Sequence, residues 1–217
     1  MKNLDYLPQN YDSIKVVDSW DALLSEPFDD ASCILFPRTL SGDFNALARA
    51  VSMQRKGYRK DIPQNLGAEH RLLMEDIERV RAHLIAIGVS AYEPSLRIEN
   101  RARWSSFSSV DTWHVDGCKN PEFGRLLCNY NAPTTQWLRQ QDVTYASLSM
   151  RANERFNKKM FAKTYSFEPG DIWRQRSASS PVSEHMQDRD KLFVHRRPPE
   201  VKLRHRNDPP RMLMVAG

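Results

Sequence analysis

Cysteine is scarce in these 217 residues: Cys33, Cys118 and Cys128 stand alone, with no paired spacing. An odd and scattered set excludes a disulfide framework and points to a reducing compartment, so a cytoplasmic setting is expected. Long apolar runs are missing as well. No stretch approaches the ~20 residues that a membrane-spanning helix needs. The opening "MKNLDYLPQNYDS" lacks the apolar centre of a signal peptide, and no membrane partner is expected. Internal repeats and low-complexity tracts are also absent.

Charge of one sign is locally depleted. Residues 1–30 hold two lysines against seven acids, whereas residues 151–217 hold fifteen Lys/Arg against eight Asp/Glu. A basic half can face nucleic acid, a membrane surface or a small anionic ligand. Its arginines are spread among prolines and acids, and aromatics at a base-stacking spacing are missing. A nucleic-acid partner is therefore not expected.

What is present suffices for a globular protein. Hydrophobic residues make up 40% of the chain and charged ones 27%, and the length allows one full core. Phe44, Leu47, Ala48 and Val51 fall at helical spacing and predict a helix from Asp43 to about Arg55. Leu73, Ile77, Val80, Leu84 and Ile87 form one apolar stripe over Ala68–Ile87, with Gly88 as its stop. After Gly88 the texture turns to short β-rich runs: Ser95–Trp104, Thr112–Asp116, Gly124–Tyr130, Thr164–Glu168, Asp171–Arg176, Lys191–His195 and Met212–Ala216. Segments rich in Pro, Gly or Asn separate them. Cys33–Pro37 is one further strand candidate. The expectation is a mainly β protein with N-terminal helices. Residues 1–94 form a helical segment packed on a β core of residues 95–217, the whole making one structural domain. Ser177–Asp190 reads as an exposed polar loop.

The chemistry concentrates in "DTWHVDG". On a strand, residues i and i+2 share a face, so His114 and Asp116 project together while Val115 points away. An imidazole and a carboxylate side by side offer two ligands to a divalent metal. A histidine from another strand would complete a two-His, one-carboxylate triad. His195, at the end of "KLFVH", is placed for that. His70 and His83 fall on a helix, His185 in the polar loop and His205 in the charged segment "KLRHRND". Arg211 opens the last apolar run, where a guanidinium fork could hold a carboxylate in two hydrogen bonds. Asn129 and Tyr130 have a cosubstrate role or a packing role, and Arg125, Arg196 and Arg197 an anionic pocket or plain solvation. Cys118, four residues after His114, is a ligand or a reduced thiol, while Cys128 alternates with Leu126 and Tyr130 as core does.

His114-Val115-Asp116, "RLLCNYNAPTTQWL" (Arg125–Leu138), "PGDIW" (Pro169–Trp173), "VHRRPP" (Val194–Pro199) and the terminal "RMLMV" follow one another in an order that resembles a bacterial family of uncharacterised proteins, domain-of-unknown-function family 1826. More distantly the order is similar to the double-stranded β-helix oxygenases that use iron and 2-oxoglutarate. The resemblance covers residues 95–217. It implies a jelly-roll, cupin-like core, with His114, Asp116 and His195 as metal ligands. Arg211 would anchor 2-oxoglutarate, with Tyr130, Asn129 and Arg125 beside it. Fe(II) and 2-oxoglutarate would be the cofactors, and a substrate oxidation the reaction. The alternative is a non-catalytic metal-binding protein holding zinc or another divalent ion. Arg211 follows His195 by sixteen residues where about ten is usual in the oxygenases, which brings Arg204 and Arg206 into consideration.

Overall fold

The computed structural model describes residues 2–54, 67–89, 94–99, 109–118, 120–145, 155–179, 191–203, 205 and 207–217. In chain order its first half contains β1 (Ile14–Val16), α1 (Trp20–Ser25), β2 (Cys33–Phe36), α2 (Phe44–Gln54), α3 (Ala68–Ala86) and β3 (Ser95–Glu99). Short strands follow: β4 (Trp113–His114), β5 (Gly117–Cys118), β6 (Arg125–Asn129), β7 (Gln136–Trp137), β8 (Val143–Tyr145) and β9 (Arg155–Lys158). The last part comprises β10 (Tyr165–Ser166), β11 (Ile172–Gln175), β12 (Ala178–Ser179), β13 (His195–Arg196), α4 (Glu200–Leu203) and β14 (Arg211–Ala216).

The strands form two six-stranded sheets, in the orders β1-β2-β11-β6-β14-β3 and β10-β7-β13-β4-β9-β8, beside a two-stranded pair β12-β5. All neighbours within the two large sheets are antiparallel except β1 with β2. The protein is mainly β. Residues 1–94 supply more than helices, because β1, β2 and the whole first edge of one sheet come from them.

Period-two alternation on β6 and β14 sorts the apolar side chains into two cores. Leu126, Cys128, Tyr130, Met212 and Met214 meet Leu47, Val51, Leu73, Ile77 and Leu84 of α2 and α3. Leu127, Leu213, Val215 and Trp173 face the other way and meet Trp137, Tyr165, Phe167 and Phe193 of the second sheet and its flanks. Helices, first sheet and second sheet are thus successive layers. Trp137 is fully buried and stacks on Tyr165 with ring centroids 4.9 Å apart. Each such ring removes about 150–250 Å² from water, so the interface between the sheets rests chiefly on aromatics.

Both long helices lie where the apolar spacing predicts them, and Gly88 closes α3 with a left-handed φ of 76°. Lys191 and Leu192 lie in a turn and the chain enters the sheet only at His195–Arg196, so that strand starts later than its β-rich sequence suggests. The predicted polar loop begins with β12, and its residues 180–190 lie outside the described residues, as do 100–104 of the predicted strand after Ser95.

Candidate metal centre

β4 is only two residues long, yet its parity decides the site. Trp113 and Val115 pack in an outer cluster with Leu138, Phe156, Leu192 and Val194, so His114 and Asp116 point inward between the sheets. His195 of β13 lies directly opposite His114 in antiparallel register, with ring centroids 4.5 Å apart. One ligand atom from each of His114, Asp116 and His195 lies within 4.8 Å of the others. His195 Nε2 is 3.3 Å from Asp116 Oδ2, and His114 Nε2 is 3.6 Å from Asp116 Oδ1.

Backbone carbonyls determine which ring nitrogens face Asp116. His114 Nδ1 lies 2.8 Å from the Thr112 carbonyl and His195 Nδ1 lies 3.1 Å from that of Phe193. A carbonyl only accepts, so each Nδ1 carries a proton, and Nε2 is the ring nitrogen turned toward Asp116. Burial, joined by the neighbouring His114, lowers the pKa of His195 and favours that neutral form. Burial alone would raise the Asp116 carboxyl. The histidines and the Arg125 guanidinium outweigh it and hold the group well below the usual carboxylate range. Two imidazole Nε2 atoms and a carboxylate therefore converge between the sheets. That donor set fits a divalent cation.

The opposite sheet supplies the supports. Gln175 on β11 is paired across strands with Arg125 on β6. Gln175 Nε2 donates to Asp116 Oδ2 at 3.0 Å, and Arg125 forms an ion pair with Asp116 Oδ1 at 2.9 Å. The Trp173 indole N–H, which can only donate, holds Gln175 Oε1 at 3.1 Å and so turns the amide N–H group toward Asp116. Gly124 precedes Arg125 with φ +71°, and a Cβ there would lie 2.3 Å from the Gln175 carbonyl, so only glycine lets β6 and β11 approach this closely. The sequence carried a signal for Gln175, two residues beyond an inward tryptophan on one strand, but no metal-ligand chemistry singled it out.

A cleft opens beside the three ligands. Arg97, Glu99, Thr135, Arg197 and Arg211 line it along with His114, Asp116 and His195. Arg211 is in place but occupied. Its NH1 pairs with Glu99 at 2.6 Å, Nε donates to the Pro133 carbonyl at 3.0 Å and NH2 donates to Thr135 Oγ1 at 2.6 Å. Arg197 pairs with Asp111, and Arg196 bonds Gln136 Oε1 at 2.9 Å with its guanidinium over the Trp113 ring. Arg97 faces the same cleft and has no carboxylate partner among the described residues.

Two expected cosubstrate residues need correction. Tyr130 follows Asn129 on the chain and must face the opposite side. It stacks on Phe44 in the helix-facing core and donates to Asp76 Oδ2 at 2.8 Å, beside the Arg38–Asp76 ion pair. Asn129 faces inward but is fully buried behind the cleft, donating to Thr135 Oγ1 at 3.3 Å. Arg125 acts on Asp116 and not on the cleft lining. Cys118 is half-buried and outside the ligand group. His70 and His83 lie on α3 and His205 is exposed, while His185, Arg204 and Arg206 lie outside the described residues. No helix among the described residues is long and apolar enough to cross a membrane. No family model, curated protein or solved structure matches this chain.

Proposed function

We propose that this chain is an Fe(II)/2-oxoglutarate-dependent oxygenase on a jelly-roll, cupin-like core, related to domain-of-unknown-function family 1826. The convergence of two Nε2 atoms and one carboxylate at the floor of a cationic cleft carries this reading. His114, Asp116 and His195 would hold the metal, and three protein ligands leave the remaining positions to cosubstrate and oxygen. With 2-oxoglutarate and O₂, such a centre supplies the oxidising chemistry. The chain's own residues orient and shield. Thr112 and Phe193 keep the protons on the outer ring nitrogens, Gln175 and Arg125 fix the carboxylate, and the apolar walls Leu127, Leu213 and Val215 limit water. Arg97, without a carboxylate partner, takes the anion-binding role expected of Arg211.

One observation favours a second reading. The Arg211 guanidinium is already neutralised by Glu99, which suits a cupin-like protein that binds zinc without oxygen chemistry. Anaerobic titration separates the two. Fe(II) followed by 2-oxoglutarate is expected to give the metal-to-ligand charge-transfer absorption, lost in Asp116→Ala. Tight metal binding with no 2-oxoglutarate binding would leave the zinc reading, and no metal binding at all would end both.

A further inference from the structure

The tip of the turn that leaves β9 on its way to β10, at the far edge of the same sheet, carries the two most exposed large apolar side chains among the described residues, Met160 at 81% and Phe161 at 94%. Ala162 N–H donates to the Lys159 carbonyl at 3.1 Å, so Met160 and Phe161 are the central pair of a four-residue turn. Phe161 has φ +65° and Met160 is not among the positive-φ residues, which is the pattern of a type II turn, whose second central position favours glycine or asparagine. A phenyl ring there is disfavoured twice, by left-handed backbone and by contact with water. It contributes nothing to either core. Lys158 Nζ donates to the Ala162 carbonyl at 2.9 Å and closes the tip, while Lys159 N–H donates to the Asp142 carbonyl at 2.8 Å and ties it to the body. Lys158, Lys159 and Lys163 are all exposed around the apolar pair. From Arg155 to Phe167 the sequence has four basic residues and no acidic one.

We propose that this tip docks on the surface of an anionic lipid bilayer, with Phe161 and Met160 entering the headgroup boundary and the lysines held by lipid phosphate and carboxylate groups. A convex tip of two residues needs no matching groove, and a bilayer interface accepts it from any direction. Neighbouring cations add attraction only to a negatively charged surface. A nucleic acid would engage the lysines but gives the methionine no apolar environment. The absence of a spanning helix among the described residues does not bear on such surface contact. The proposal is independent of the metal centre.

The test is co-sedimentation of the full chain with vesicles of phosphatidylcholine alone and of phosphatidylcholine with phosphatidylserine, at low and high salt. Binding is expected only to the phosphatidylserine vesicles and is expected to weaken with salt. Phe161→Asn should reduce it by about tenfold or more. Asparagine tolerates left-handed backbone, so the same variant should keep or raise Tm. Replacing Lys158, Lys159 and Lys163 together with glutamine should remove the salt dependence. The proposal is overturned by wild-type protein that stays in the supernatant, by equal binding of Phe161→Asn, or by equal binding to both vesicle types. A fall in Tm of more than about 3 °C in Phe161→Asn would also overturn it, because the ring would then pack within the fold.

Discussion

Replacing Glu99 with alanine isolates the largest electrostatic commitment in the cleft. Arg211 and Glu99 are cross-strand partners on β14 and β3, with side chains 2% and 13% exposed and an NH1–Oε2 distance of 2.6 Å. Removing the carboxylate leaves a buried guanidinium whose remaining partners, the Pro133 carbonyl and Thr135 Oγ1, are neutral. Breaking a buried pair by deleting one partner costs about 3–5 kcal/mol. Water reaches the rim of Glu99, so the lower end, about 3 kcal/mol, is expected here. For a chain of this size each kcal/mol lowers Tm by about 2–4 °C, giving a fall of roughly 6–12 °C. Arg211→Met combined with Glu99→Leu removes both charges and should recover most of that loss, because no uncompensated ion remains. Thermal and urea unfolding of the single and double variants, followed by circular dichroism, measures the coupling. A Glu99→Ala loss below about 1 kcal/mol, or a double variant as unstable as the two singles together, would refute the structural role of the pair. Strong stabilisation of Glu99→Ala by 2-oxoglutarate would return the anchoring role to Arg211.

Two further outcomes follow from the contacts around the centre. Gln175→Ala should weaken metal affinity by about 10–100-fold, the range for losing a group that orients a ligand; calorimetry with Zn(II) or anaerobic Fe(II) checks it, and unchanged affinity would reduce Gln175 to packing. Tyr130→Phe should cost about 1–3 kcal/mol of stability by leaving Asp76 short of a donor, with metal and 2-oxoglutarate affinities unaltered; a changed cosubstrate affinity would place Tyr130 back at the site.

The candidate ligands were legible because strand parity is local. Trp113-His114-Val115-Asp116 alternates apolar and polar, which sends His114 and Asp116 to one face before any partner strand is known. The helices at Phe44–Gln54 and Ala68–Ala86 were legible for the same reason, through a 3.6-residue stripe. Parity also carried a warning. Asn129 and Tyr130 are neighbours at the end of β6 and cannot both face a cosubstrate, and the structure sends Tyr130 to the helices.

Pairings across the sheets and the three-dimensional outcome of charge were decided only by the tertiary structure. Nothing local to Arg211 shows that Glu99, 112 positions earlier, neutralises it. Gln175 and Arg125 meet Asp116 because β11 and β6 are hydrogen-bonded neighbours facing β4 across the sandwich. The first-half strands were short and weakly patterned; β2 takes its place through long-range backbone bonding to β11, and β1 by pairing with β2. Residue types and periods determined which side chains share a face. Which faces meet, and therefore which charges are spent on one another and which stay open to a ligand, depended on contacts distant in sequence, whose energies no local window contains.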